Sequence, residues 1–367
     1  MLNLQTFLKN HTLEQVAEKY AITVRRHFEY PNLVLFKYSM IDSPLDDPLV
    51  QECRGIILDE SKNWEIVSFP YKKFFNHGEK SAAKIDWTTA RVYEKVDGSL
   101  MTLYWYDEKW HVASSGTPDA IGEIYGTDKN FKGLFWKVWN DLGYVLPTDT
   151  NLCYMFELCT VYNKIVVQHP KPRIVFHGAR NIKNLQETSS EIVSKNYNWE
   201  VVRSFPLQSL EQILATCDDI KPTEGEGYVI CDNSFNRIKV KTPQYVAISH
   251  MRDGMGSRRM LEVICAGESE EVLTYFPEFK LLHDKIKASY DNLVEELEKA
   301  YVRVSHIPKD SKESQKEFAL AVKDIKCNGV LFHIRKGTYT SVKEALKDVN
   351  IKNLMKALKV KDMVIEI

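Results

Sequence analysis

The sequence predicts an α+β protein in two parts: a β-rich N-terminal domain over residues 1–250 and an all-helical C-terminal domain over residues 251–367. Two patterns predict it. Up to residue 241, apolar residues come in short runs bounded by Gly, Pro, Asn and Asp, as at 33–38, 100–106 and 152–158, and residues 237–241 alternate strictly. Beyond residue 257 the spacing turns helical, with Phe279, Leu282, Ile286, Leu293 and Leu297 on one face and Phe318, Ala319, Val322 and Ile325 on another. Between the two parts, Met251-Arg252-Asp253-Gly254-Met255-Gly256-Ser257 reads as a linker.

Composition narrows the function classes. With 44 % hydrophobic and 27 % charged residues the chain has the make-up of a globular protein. Its formal net charge of −1 gives no global basic field, so a nucleic-acid partner must be met by local patches. The seven cysteines are scattered, with no Cys-x-x-Cys pair, which argues against a disulfide framework or a thiolate zinc site and favours a reducing compartment. The N-terminus lacks a basic segment followed by an apolar core, and no run of about 18 apolar residues exists, so a cytoplasmic location and no membrane partner are expected.

In order, Thr12-Leu13-Glu14-Gln15 is a capping box that opens a short helix to Tyr20. Strands follow at 22–28 and 33–38, then a polar loop over 43–48. Glu52-Cys53-Arg54-Gly55 runs into a strand, and the strand at 65–70 delivers Lys72-Lys73-Phe74-Phe75-Asn76. Glu94-Lys95-Val96-Asp97-Gly98-Ser99 reads as a hairpin-like bend between apolar runs at 90–93 and 100–106, setting one amine at the mouth of a β-rich pocket. Residues 100–106 and 110–114 form a hairpin closed by Ser114-Ser115-Gly116-Thr117. Residues 131–139 form a helix that ends at Gly143 and turns its aromatics inward. Further strands are expected at 152–158, 164–168 and 173–177, and helices at 189–195 and 210–217. Glu224-Gly225-Glu226-Gly227 leads into another strand, and 232–236 turns into Arg237-Ile238-Lys239-Val240-Lys241.

Several of these residues are chemically conspicuous. Glu157 is a carboxylate inside an apolar strand, which is costly unless it is paired, binds a metal or meets a ligand. Arg237, Lys239 and Lys241 share one strand face, as a lysine-decorated edge or as a site for an anion. Arg54 and Lys73 lie upstream of Lys95 and suit polyphosphate. Together they fit attack of the Lys95 amine on the α-phosphorus of a nucleoside triphosphate. Lys239 and Lys241 would neutralise the α-phosphate and favour the neutral Lys95 amine, and Arg54 and Lys73 would hold the departing pyrophosphate. Glu157 and Glu226 would bind the nucleoside or a hard divalent cation. Residues 335–361 carry eight Lys/Arg against two acids, a local net charge of +6, and read either as a nucleic-acid surface or as solvated helix faces.

Lys95-Val96-Asp97-Gly98-Ser99 resembles the nucleophile motif of the covalent nucleotidyltransferases, and of the phage RNA ligase 1 family in particular. Glu52-Cys53-Arg54-Gly55-Ile56 and Lys73-Phe74-Phe75-Asn76 resemble that family's own upstream signatures. Phe156-Glu157 with Asn163-Lys164-Ile165-Val166, Glu226-Gly227-Tyr228-Val229 and Lys239-Val240-Lys241 resemble its later motifs, in the same order. The resemblance covers about residues 35–250. It implies a nucleotidyltransferase domain of antiparallel sheets with flanking helices, of the ATP-grasp-like ligase type, and a helical C-terminal domain that helps choose the RNA.

It also implies an ATP-dependent RNA ligase acting in three steps: adenylation of Lys95, transfer of AMP to an RNA 5′-phosphate, and sealing by a 3′-hydroxyl. Mg²⁺ or Mn²⁺ is implied, with Glu157 and Glu226 as its ligands. The implied ATP site comprises Arg54, Lys73, Glu94 on the adenine, Asp97, Gly98, Glu157, Lys239 and Lys241. Phe176, or its neighbour Val175, would stack on the base. The lysine that relatives carry near Ser115-Gly116-Thr117 is absent. The expected partner is single-stranded RNA with 5′-phosphate and 3′-hydroxyl ends, such as a cleaved tRNA, met by a monomer in RNA repair, in a host cytoplasm if the source is a phage. The alternatives are a nick-sealing ligase of the same superfamily and a non-catalytic RNA-binding relative. DNA ligases and capping enzymes bring an OB-fold after the last motif, where this chain reads helical.

Overall fold

A computed structural model describes residues 1–360 except 41, 125–126, 254, 268, 270–271, 274–275 and 310. The chain divides into two units, Met1–Ser249 and His250–Ile367.

The first unit opens with helices α1 (Asn3–Leu8) and α2 (Leu13–Tyr20). The Thr12 hydroxyl accepts from the Gln15 amide and caps α2, as the sequence predicts. Helix α1 is not legible from local sequence, because its cap lies 48 residues away: the Glu52 carboxylate accepts from the amides of Asn3 at 3.2 Å and Leu4 at 2.9 Å. Strands β1 (Ile22–Arg26) and β2 (Leu33–Tyr38), helix α3 (Pro48–Glu52), and strands β3 (Arg54–Asp59) and β4 (Glu65–Ser68) follow. The four strands form an antiparallel sheet in the order β1-β2-β3-β4.

Next come β5 (Phe75–Asn76), β6 (Arg91–Glu94), β7 (Ser99–Tyr106) and β8 (Lys109–Ser114), helix α4 (Phe131–Asp141), and strands β9 (Leu152–Cys159), β10 (Arg173–Asn181) and β11 (Glu187–Ser189). Helix α5 (Ser190–Val193), β12 (Glu200–Val201), β13 (Ser204–Phe205), helix α6 (Leu210–Cys217), β14 (Gly227–Cys231) and β15 (Arg237–Lys241) complete the β-rich part. A second sheet runs β11-β10-β9-β7-β8, with β12 beside β10. A third runs β13-β6-β14-β15-β5. The aromatic face of α4 packs inward as expected: Phe135 and Trp139 are buried with Phe156, Phe176 and Trp199 under the second sheet. Each ring pair there adds roughly 0.5–1.5 kcal/mol to the burial of its area.

Three expectations change. The bend at Lys95 is no hairpin: β6 pairs with β13 and β14, whereas β7 pairs with β8 and β9, so residues 95–98 carry the chain from one sheet to another. Residues 164–168 form no strand, because the Val166 and Val167 amides are taken by the Asp97 carboxylate rather than by a ladder. The linker at 251–257 is largely helical: α7 (Pro243–Asp253) runs into it and α8 (Ser257–Ala266) starts at its end, while Gly254 lies outside the described residues.

The second unit continues with α9 (Lys280–Val304), α10 (Lys312–Val322), α11 (Gly329–Arg335), α12 (Val342–Lys347) and α13 (Ile351–Leu358). Leu293 and Leu297 of α9 and Phe318 and Val322 of α10 are buried, as their spacing predicts. Of the basic run, Arg335 belongs to the core, donating to the Ile307 and Pro308 carbonyls over the Phe318 ring. Lys336, Lys343, Lys347, Lys352, Lys356 and Lys359 are exposed, and Lys361 lies outside the described residues. Among the described residues no helix is long and apolar enough to cross a membrane.

Candidate active site

The crossing at 95–98 sets one side chain in a fixed place, and its neighbours serve as anchors. The Lys95 amide donates to the Gly227 carbonyl at 2.9 Å, tying it to β14. Val96 is buried against Cys159, Val175 and Val202. The Asp97 carboxylate is buried and accepts three hydrogen bonds, from the Val166 and Val167 amides at 2.8 and 2.7 Å and from the Tyr245 hydroxyl at 2.7 Å. His169 Nε2 donates to the Asp97 carbonyl at 2.7 Å. A Cβ on Gly98 would lie 2.5 Å from the Leu158 carbonyl oxygen, so only glycine lets the bend sit this close to β9. Asp97 and Gly98, expected in the ATP site, do not line the pocket and instead hold the bend.

The pocket beside the bend has a volume of about 180 Å³. Of the expected site residues, Arg54, Glu94, Lys95, Glu157, Lys239 and Lys241 line it. Glu226 lies just beneath, buried, with Oε2 2.6 Å from Lys95 Nζ and Oε1 2.9 Å from Lys241 Nζ. Burial pushes the Glu226 carboxyl up, but Lys95 and Lys241 outweigh it and hold the group below the usual carboxylate range. The Glu226 oxygens are thus both engaged by lysines, and among the described residues no cluster of three His, Cys, Asp or Glu offers a metal centre. Glu157, the other carboxylate expected to hold a metal, lines the pocket and lies close enough to Glu226 for their charges to act on each other.

Alternation of β15 turns Ile238 and Val240 into the core and the three cations the other way. Their partners differ. Arg237 pairs with Glu187 at 2.6 Å and Lys241 with Glu226, whereas Lys239 has no carboxylate within 4.0 Å among the described residues. Burial, reinforced by Lys95, Lys241, Arg54 and Lys73, pushes the Lys239 amine down to about 8. The Arg54 guanidinium lies 5.0 Å from the centre of the Phe74 ring, and its Nη1 is buried without a hydrogen-bond partner. Lys239 and Arg54 both lie against the Phe74 ring, and neither has a carboxylate within 4.0 Å among the described residues, a pairing suited to an anion.

Glu157 sits across the pocket on β9. Burial pushes its carboxyl up to about 8, with Glu226 and Asp97 acting in the same direction against Lys95 and Arg54. His177 Nε2 is 3.5 Å from Glu157 Oε2 without hydrogen-bond geometry, and burial beside Lys95, Arg237 and Arg54 pushes the imidazole down to about 3. Both groups are therefore neutral near pH 7. Relative to the unfolded chain, folded Glu157 keeps an extra proton between pH 4.5 and 8, so its contribution to stability falls as pH rises through that window, while that of His177 rises between pH 3 and 6.5. Replacing Glu157 by Gln is expected to stabilise the protein on the order of a few kcal/mol at pH 8 and by almost nothing at pH 4.5, as read from urea unfolding across that range. Lys239 acts in the next window: its depressed amine makes stability rise from pH 8 to 10.5, equally in both proteins.

Phe176, expected to stack on the base, is fully buried with its ring 5.1 Å from those of Phe156 and Trp199. It lines no part of the pocket. Val175 is likewise buried, among Val96, Cys159 and Val202. Alternation along β10 puts Phe176 in the core with Ile174 and sends His177, with Val175, to the other face, where His177 lines the pocket; the strand bulges just beyond, between Phe176 and Gly178. Sequence reasoning missed His177; a polar residue before a glycine inside an apolar strand was the available signal. It also missed Tyr93, Val202 and Val229, which add apolar surface near Glu94. Lys73 stands apart as well: it lines a neighbouring groove, buried over the rings of Tyr38 and Phe75.

A model of the RNA ligase family matches residues 52–245, which hold this whole arrangement. The chain is 25% identical over 307 residues to a protein of Autographa californica nuclear polyhedrosis virus named as a bifunctional polynucleotide kinase/RNA ligase, the match covering 76% of this chain and 42% of that one. The chain thus spans less than half of that relative's length. It is 24% identical over 368 residues to an RNA ligase of Rhodothermus phage RM378, covering 80% of this chain and 82% of that one. Among solved structures, an archaeal ATP-dependent RNA ligase is similar with a TM-score of 0.47 and 12% identity, covering 94% of each chain.

Proposed function

The chain belongs to the phage RNA ligase 1 family, and on that premise we propose that it is an ATP-dependent ligase joining the 5′-phosphate and 3′-hydroxyl ends of single-stranded RNA through lysyl-AMP and RNA-adenylate. The observation that carries the reading is the Lys95 amine held 2.6 Å from a buried carboxylate in a pocket also lined by Arg54, Lys239 and Lys241. In the first step Lys95 Nζ attacks the α-phosphorus of ATP. The N–P bond forms, the bond to the β-phosphate oxygen breaks, pyrophosphate leaves, and the amine proton passes to Glu226. Glu226 fixes the direction of the amine, and Lys239 and Arg54 meet the phosphate charge that develops. Glu94 and His177 bound the pocket where the base would lie.

A divalent cation, Mg²⁺ or Mn²⁺, would be held by the nucleotide's own phosphates and by Glu157, whose carboxyl would give up its proton to the ion, and would supply charge neutralisation at the phosphates. In the second step an oxygen of the RNA 5′-phosphate attacks the same phosphorus, the N–P bond breaks and Lys95 recovers its proton. In the third a 3′-hydroxyl attacks the RNA phosphate and AMP leaves.

RNA repair, with a cleaved tRNA as one substrate, is the role this chemistry suits. The test is incubation with α-labelled ATP and Mg²⁺ or Mn²⁺, followed by denaturing electrophoresis, then addition of 5′-phosphorylated RNA. Label on the protein, its transfer to RNA and circle formation are expected. A chain that binds RNA but takes no label is a non-catalytic relative, and sealing confined to nicked duplexes makes it a nick-joining enzyme.

A further inference from the structure

Helix α7 starts where β15 ends, and its first turn comes back to the nucleophile. The Thr242 amide donates to the Glu226 carbonyl at 3.0 Å, and the Thr242 hydroxyl accepts from the Tyr245 amide at 3.1 Å, which fixes the start of the helix. Tyr245 is 2% exposed and lines no part of the pocket. It still meets the machinery from both sides. Its hydroxyl donates to Asp97 Oδ1 at 2.7 Å, while the Val166 and Val167 amides both donate to Oδ2. The centre of its ring lies 5.2 Å from Lys241 Nζ. Lys241 is bonded to Glu226, and Glu226 to Lys95. The contacts close a circuit that runs from Lys95 through Glu226, Lys241, Tyr245 and Asp97, and back along the bend to Lys95.

Resting on the ligase reading above, we infer that Tyr245 is a positioning residue for adenylation: its ring seats Lys241, and its hydroxyl holds the Lys95 bend against that lysine. The bend crosses from the third sheet to the second, whereas Lys241 belongs to a strand of the third, so the two need a tie. Glu226 also joins Lys95 to Lys241. It takes up the amine proton during the attack, however, so its hold on the two lysines changes as the reaction runs. The bonds of Tyr245 do not change, and they reach an aspartate that backbone amides hold from the other side. A misplacement of about 1 Å in such an attack costs on the order of a hundredfold in rate. The two ends of the side chain serve different steps. Lys95 takes part in its own adenylation and in AMP transfer, and has left the path by sealing, so the hydroxyl serves the first two steps. Lys241 stays beside the same phosphate until AMP leaves, so the ring serves all three.

The test is single-turnover kinetics on the full chain. Two rates are measured: labelling of the protein by α-labelled ATP over a range of ATP concentrations, and sealing of RNA supplied already adenylated. Tyr245→Phe keeps the ring and loses the hydroxyl. It is expected to slow labelling at saturating ATP at least about tenfold, with the half-saturating ATP concentration and the sealing rate both within about twofold of the parent. Tyr245→Leu loses the ring as well, and should also slow sealing at least about fivefold. Tyr245→4-aminophenylalanine returns an N–H donor to the same place and should bring labelling back to within about threefold. Thr242→Val, which loosens the Tyr245 amide, carries the test if Tyr245→Phe does not fold: labelling should fall at least about threefold with sealing within about twofold. A folded Tyr245→Phe protein that labels within about twofold of the parent overturns the proposal. So does one in which labelling and sealing fall in the same proportion, the mark of a smaller folded fraction. A parent chain that takes no label loses the ligase reading and this role with it; a parent that takes label as readily as Tyr245→Phe loses the role alone.

Discussion

Lys95→Ala is expected to take no label from α-labelled ATP, a loss of at least about a thousandfold, because it removes the amine that the bend at 95–98 fixes in the pocket 2.6 Å from Glu226. Lys95→Arg is expected to fail equally. A guanidinium keeps the positive charge but is not a nucleophile, so the pair of variants separates covalent chemistry from electrostatics. The fold should survive both. In the alanine variant Glu226 keeps Lys241 at 2.9 Å, and Lys239 loses one of the neighbouring cations that depress it. Unfolding free energy should change by less than about 1 kcal/mol. The alanine variant should also seal RNA supplied already adenylated, within about tenfold of the parent rate, since Lys95 has left the covalent path by the third step. Intact-mass spectrometry and denaturing electrophoresis read the first result, and a single-turnover sealing assay the second. Labelled protein in either variant would remove Lys95 from the mechanism.

The cations were legible because strand alternation is a local property. The spacing of Arg237, Lys239 and Lys241 alone puts them on one face, and it left open whether an anion covers them. The structure divides that question by residue: Arg237 and Lys241 have carboxylates brought from positions 187 and 226, and Lys239 has none among the described residues. Such pairings depend on sheet order, which no local pattern carries. The same limit hid the roles of Asp97 and Glu52. Both sit in motifs that look chemical, and both spend their oxygens on backbone amides far away in sequence, those of Val166 and Val167 and of Asn3 and Leu4. Phe176 shows a sharper failure. Period-two counting sorts Ile174 and Phe176 onto one face and Val175 and His177 onto the other, but which face meets the core and which the pocket is set by sheet packing that no local pattern carries. Glu157 was readable for the opposite reason: an ionisable group in an apolar strand is anomalous wherever the strand ends up.

The glycine after Glu226 should be as intolerant as the nucleophile, for mechanical reasons. Gly227 has φ +136°, and a Cβ there would lie 2.1 Å from the Val240 carbonyl oxygen and 2.9 Å from Lys241 Cα. Neither contact can relax by a side-chain rotation, since both are to the backbone of the paired strand β15. Gly227→Ala must therefore push β15 away from β14 or leave the backbone conformation, and is expected to destabilise the protein by about 3 kcal/mol or more. The displaced strand carries Lys239 and Lys241, while the Gly227 carbonyl anchors the Lys95 amide at 2.9 Å. The nucleophile and its cations would then part, so whatever fraction folds should adenylate at less than about a hundredth of the parent rate. Gly225→Ala is the control. Its Cβ would approach the Ile220 Cγ2 methyl at 3.0 Å, a side-chain contact that a small shift relieves, and it should change stability by less than about 1 kcal/mol. Urea unfolding and the labelling assay on both variants decide the matter. A Gly227→Ala protein as stable and as readily labelled as Gly225→Ala would mean that β14 and β15 are not packed at this distance, and that the lysines of β15 reach Lys95 by another arrangement.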